Sequence, residues 1–98
     1  MRPRRLLVAR RHAVFELAPG LLLVFKPRGH REDAHAHPHR QRLRVLRGAL
    51  KVSVGRRTVA LSAGSRPLTL ATGRVHATLA AKDSWILAET LPSEDRRA

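Results

Sequence analysis

After residue 12 the apolar and polar positions alternate in short runs, each cut by turn residues, and no stretch keeps a helical period. Ala13–Leu17 reads as a strand ended by Ala18-Pro19-Gly20, and Leu21–Lys26 as a continuous apolar run suited to the centre of a sheet. Pro27-Arg28-Gly29 ends that run. From Ala34 the pattern alternates again, with Gln41, Leu43 and Val45 on one face and Arg42 and Arg44 on the other, until Gly48. Leu50, Val52 and Val54 alternate with Lys51 and Ser53, and Gly55-Arg56 turns this strand into Thr58–Leu61, a short-loop hairpin. Pro67–Leu70, Val75–Ala80 and Ser84–Thr90 complete the set. In the last, Trp85 and Leu87 share one face, and Ile86 and Ala88 the other. Short strands with turn signals at such close, even spacing predict an all-β sandwich or barrel. Arg5–Phe15 can also be drawn as a basic helix, but Val8, Val14 and Phe15 favour strand.

The chain has 98 residues, enough for one domain. A chain this short buries a little over ~60% of the surface its unfolded form exposes, so a bound ion or a subunit partner is expected to help hold it folded. Residues 1–12 are read as a basic N-terminal arm or edge strand, 13–91 as the barrel, and 92–98 as a flexible tail. There is no cysteine, which excludes disulfides and thiolate ligands and leaves nitrogen and oxygen to bind any metal.

Twenty Lys and Arg against seven Asp and Glu give a net charge of +13. That excess attracts anions. Only Phe15, Phe25 and Trp85 are available to stack on bases, and the arginines are dispersed along the chain, so nucleic acid is not expected to be the main partner. The basic opening is cut by Arg10 and Arg11 too early for a secretory signal, and the longest apolar run, Leu21–Phe25, is too short to span a bilayer. A cytoplasmic location is expected.

Four of the six histidines lie between Gly29 and Gly48: His30, His35, His37 and His39. On a strand His35 and His37 point the same way, so both rings can converge on one ion. Pro38 predicts a bend that carries Gln41 onto an adjacent strand segment, within reach of the same ion, while His76 comes in from a separate strand. Three imidazoles and one oxygen suit Fe, Ni, Cu, Mn or Zn. His12 and His30 are expected to face solvent, and His39 to sit at the rim.

The glycine spacing resembles that of a single-domain cupin of the RmlC-like type. In the first cupin motif a Gly is followed by five residues, His-x-His, three or four residues, an acidic residue, six residues and Gly; Gly29, His35, His37, Gln41 and Gly48 fill those positions. The second motif is matched by Gly64, Gly73 and His76, with one extra residue after Gly64, Ala71 in place of a proline and Ala80 in place of an asparagine. The resemblance runs from about Leu21 to Glu89. It implies a cupin-type jelly-roll β-barrel and a divalent transition metal held by His35, His37, Gln41 and His76. It also implies a homodimer paired through sheet edges. Most metal-binding cupins carry Glu where this chain has Gln41. A neutral amide leaves the ion more positive and its bound water more acidic. The His37-Pro38-His39-Arg40-Gln41 segment is similar to that of pectin-pathway cupins that linearise unsaturated uronates.

These features predict Lewis-acid chemistry on an anionic, oxygen-rich small molecule such as a sugar acid, with Arg74 as a bidentate carboxylate clamp. No general base is evident in the sequence. The alternatives are a non-catalytic ligand-binding or sensing cupin and an iron-dependent dioxygenase.

Overall fold

The computed structural model describes residues 4–9 and 12–92; the side chains of residues 4–9, and the segment beyond 92 expected to form a flexible tail, lie outside that description. Among the described residues ten strands run in order: β1 Arg4–Ala9, β2 His12–Ala18, β3 Leu21–Lys26, β4 Arg31–His35, β5 Gln41–Arg47, β6 Ala49–Val54, β7 Arg57–Ser62, β8 Leu68–Leu70, β9 His76–Ala80 and β10 Ser84–Thr90. They form a six-stranded sheet ordered β1-β2-β3-β10-β5-β8 and a four-stranded sheet ordered β4-β9-β6-β7. Every pairing is antiparallel. The architecture is the all-β jelly roll that the alternation and the motif spacing predict. Among the described residues no helix is long and apolar enough to cross a membrane.

The inward positions of both sheets make one core: Val24, Leu43, Val45, Ile86 and Ala88 from the larger sheet meet Leu50, Val52, Leu61 and Ala80 from the smaller. Leu50, Val52 and Ile86 are almost wholly shielded, and burying each stabilises the fold by roughly 1.5–3 kcal/mol. On β10, Ile86 and Ala88 turn inward as their parity requires, while Trp85 stacks on its register partner Phe25 at 4.9 Å between ring centroids.

The chain changes sheets twice around the histidine segment. After β4 it leaves the four-stranded sheet, bends through residues 36–40 and enters the six-stranded sheet as β5. After β5 it returns to the four-stranded sheet across a single residue, Gly48. Gly48 has φ +99°, and a Cβ there would collide with the Asp83 carbonyl oxygen and with Ser84. Only glycine fits both the conformation and the space. The Ser84 hydroxyl secures the crossing, accepting from the Ala49 amide at 3.0 Å and donating to the Lys82 carbonyl at 2.7 Å.

Candidate metal centre

His35 is the last residue of β4, and His76, the first of β9, is its partner in the ladder. Their ring centroids are 4.4 Å apart. His37 lies past the end of β4, in the segment that bends toward β5, and its carbonyl accepts a hydrogen bond from Gly73 N–H at 2.8 Å. Gly73 has φ +72°, so the glycine turn of the second motif is clasped to the His-x-His of the first. The His37 ring packs 4.8 Å from His35 and 5.3 Å from His76. One nitrogen from each of the three rings lies within 4.8 Å of the others, a spread suited to holding one ion.

The hydrogen bonds decide which nitrogen of two rings faces the centre. His35 Nδ1 lies 2.8 Å from the Asp33 carbonyl oxygen, and His76 Nδ1 lies 3.2 Å from that of Arg74. A carbonyl only accepts, so each Nδ1 carries the proton and each Nε2 keeps its lone pair for a ligand. His37 is held below the ordinary histidine range by burial and by the nearby rings of His35, His76 and His39. Burial also lowers His76, against the raising effect of its bond to the Arg74 carbonyl. Neutral rings with free lone pairs are what metal ligation requires.

The triad opens into a cavity of about 220 Å³ between the two sheets. Gln41 lines it from β5, as the bend at Pro38 predicts, and Val24, Leu43, Leu50 and Ile86 form its apolar part. His39 stacks on His37 with centroids 5.4 Å apart and is absent from the cavity wall, as a rim group would be. Arg74, the expected carboxylate clamp, lies elsewhere: it is exposed and lines a separate cavity with Arg57, Val59 and Leu68.

Three groups in the wall escape the sequence reading. Lys26, the last residue of an apolar run, is buried, and its Nζ donates to Glu32 Oε1 and Thr78 Oγ1, both at 2.9 Å. Glu32 also faces inward, although it is three residues from His35 and a regular strand would put the two on opposite faces. Between the pairs Glu32↔Thr78 and His35↔His76 the register slips by one residue. This bulge at Asp33–Ala34 resets the parity and turns both side chains into the cavity. Burial pushes the Glu32 carboxyl up, but the Lys26 ammonium, through its charge and its hydrogen bond, more than offsets this and holds it below the ordinary carboxylate range, helped by His35 and His30.

The expectation that His12 and His30 face solvent is corrected. Both are half-buried, with ring centroids 4.1 Å apart, and His12 lines the cavity. The turn at Pro27–His30 is closed by the His30 amide donating to the Pro27 carbonyl, and the His30 carbonyl accepts from Ala80, which folds His30 against the barrel. Burial lowers both rings, His12 further by the charge of His30, and both by that of Lys26. His30 Nδ1 is buried with no partner among the described residues.

No protein-family model and no curated protein sequence matches the chain. Solved structures do. KdgF from Halomonas sp. superposes with a TM-score of 0.71 at 22% identity, over 93% of this chain and 88% of that one. The cupin domain of Drosophila melanogaster CENP-C gives 0.74 at 14% identity, over 91% and 75%. An RmlC-like cupin from Shewanella frigidimarina gives 0.67 at 16% identity, over 94% and 96%. The chain has the cupin fold. The two histidine-bearing stretches, 29–48 and 64–76, meet where His35, His37 and His76 converge. Gln41 also lines the cavity.

Proposed function

We propose that this is a small metal-dependent cupin that binds an anionic, oxygen-rich small molecule, such as a sugar acid or oxo-acid, and acts on it by Lewis-acid catalysis. The observation that carries the reading is the convergence of three imidazoles at the wall of a cavity between the two sheets. His35, His37, His76 and Gln41 would hold one divalent transition ion. The ion supplies the charge that polarises a carbonyl or hydroxyl oxygen.

The rest of the chemistry belongs to the chain. Lys26 balances the Glu32 carboxylate at 2.9 Å, so the wall carries no net negative charge and a bound divalent ion leaves the cavity positive, which favours an anionic ligand. A cavity of about 220 Å³ lies below the size of typical drug-sized pockets and suits a molecule no larger than a single sugar ring. Val24, Leu43 and Leu50 keep the apolar side of the cavity free of competing donors. The resemblance of the His37–Gln41 segment to uronate-linearising cupins supports an unsaturated uronate as the first substrate to try. Arg74 could meet a carboxylate only at the separate cavity it lines.

The test is to incubate the metal-loaded protein with unsaturated uronates and follow loss of the conjugated double bond by ultraviolet absorbance. Turnover that a chelator abolishes is expected. Absence of both turnover and binding across a panel of sugar acids and oxo-acids would contradict the proposal. A second reading, a non-catalytic binder, draws on the likeness to a cupin domain whose structure is also known bound to CAL1; binding of the panel without turnover would favour it. We also expect a homodimer formed through a sheet edge, such as that of β1. A monomer by light scattering would contradict that expectation.

A further inference from the structure

We propose that Glu32 is the acidic ligand of this centre, supplying from β4 the carboxylate that Gln41 does not supply from β5. The inference rests on the metal reading above and concerns which side chains complete it. Three imidazoles and an amide are all neutral donors, and an ion held by them alone in a partly apolar cavity keeps its full charge uncompensated, which is unfavourable. Among the described residues, Glu32 is the one acidic side chain in the cavity wall.

Its two oxygens are used differently. Oε1 is held by Lys26 Nζ at 2.9 Å, with Thr78 Oγ1 at 3.5 Å. Oε2 faces the triad, 4.0 Å from His35 Nε2, the nitrogen that the Asp33 carbonyl leaves free to ligate. The carboxylate sits beside His35 and outside the 4.8 Å cluster of the three imidazole donors, so ion binding would draw Oε2 inward. A carboxylate can accept at both oxygens, so one can stay on the ammonium while the other meets the ion. Lys26 acts as the positioning residue. Burying an ammonium is costly unless it is paired, and its pairing here aims the free oxygen at the centre. The bulge at Asp33–Ala34 is the device that brings Glu32 to this face.

The experiment is a Co2+ titration of the full chain, read both by competition with a chromogenic chelator and by the visible spectrum of bound Co2+. The proteins are wild type, Glu32→Gln, the pair Lys26→Met/Glu32→Gln, and the pair Glu32→Gln/Gln41→Glu. The Lys26→Met/Glu32→Gln variant removes the buried ammonium with its partner, so a folding defect from an orphaned charge cannot mask the result. Loss of the carboxylate should weaken Co2+ binding by more than the about 10–100-fold that loss of a group bonded only to a ligand brings, and change the spectrum. Gln41→Glu should restore affinity in the Glu32→Gln background. Tight binding by wild type with the same affinity and spectrum in Glu32→Gln and in Lys26→Met/Glu32→Gln would overturn the assignment of Glu32 alone. Absence of Co2+ binding by wild type would overturn the metal reading itself.

Discussion

His35 and His76 face each other across the β4–β9 ladder, and each ring is set by a hydrogen bond from Nδ1 to the carbonyl two residues earlier in its own chain. The same local device is thus used on both sides of the centre, once at Asp33 and once at Arg74. It fixes the tautomer before any ion arrives, so the site is organised by backbone atoms that side-chain substitutions leave in place.

Acid should destabilise the protein from just below neutrality. His12, His30, His37 and His76 are all lowered from 6.5, so between that value and their folded values the unfolded chain binds more protons than the folded one. Stability therefore rises with pH through this window and is lost as pH falls below about 6.5. Glu32, lowered from 4.5, adds a second loss below that value. Urea midpoints of the metal-free protein should be flat above pH 7 and fall in two stages on acidification. A midpoint that rises between pH 7 and pH 5 would contradict this. Replacing His12 and His30 together by Phe should flatten the first stage.

The Lys26–Glu32 pair should be asymmetric to substitution. Lys26→Met leaves behind a carboxylate that is 42% exposed and can be rehydrated, so stability should change little or rise. Glu32→Ala strands a buried ammonium and should cost up to about 3 kcal/mol, toward the low end for broken buried pairs because Glu32 is partly solvated. Chemical denaturation of the two variants measures this. A larger loss for Lys26→Met would reverse the argument.

Gly48→Ala should lower the unfolding free energy by at least about 1–3 kcal/mol, the cost of a left-handed non-glycine residue alone, with the collision at Asp83 and Ser84 added to it. Denaturant unfolding with an unchanged slope would identify the loss as one of stability. A variant as stable as wild type would show that the sheet crossing has room to relax.

Much of this was legible in the chain because period-two alternation and glycine spacing are local signals. Leu21–Lys26, Ala49–Val54 and Ser84–Thr90 are strands with the bounds the pattern predicts. The histidine triad and Gln41 were legible because motif spacing encodes which strands meet. Strand β4 was missed: REDAH has no apolar alternation, since a bulge interrupts it and two of its residues line a polar cavity wall. Glu32 is hidden for the same reason, because without the bulge its parity would turn it away from His35. Lys26 looked like the polar end of an apolar run, and only its long-range partners, Glu32 and Thr78, show why it is inside. The His12–His30 contact joins the start of β2 to the loop before β4, which no local pattern reports.

Metal content tests the central claim most directly. Protein made without a metal-binding tag, incubated with divalent transition ions and freed of excess, is measured by elemental analysis beside His35→Ala and His76→Ala. About one ion per wild-type chain, with little in either variant, is the predicted result, since removing one imidazole breaks a site that has no thiolate to fall back on. Equally low metal in all three proteins would contradict the account.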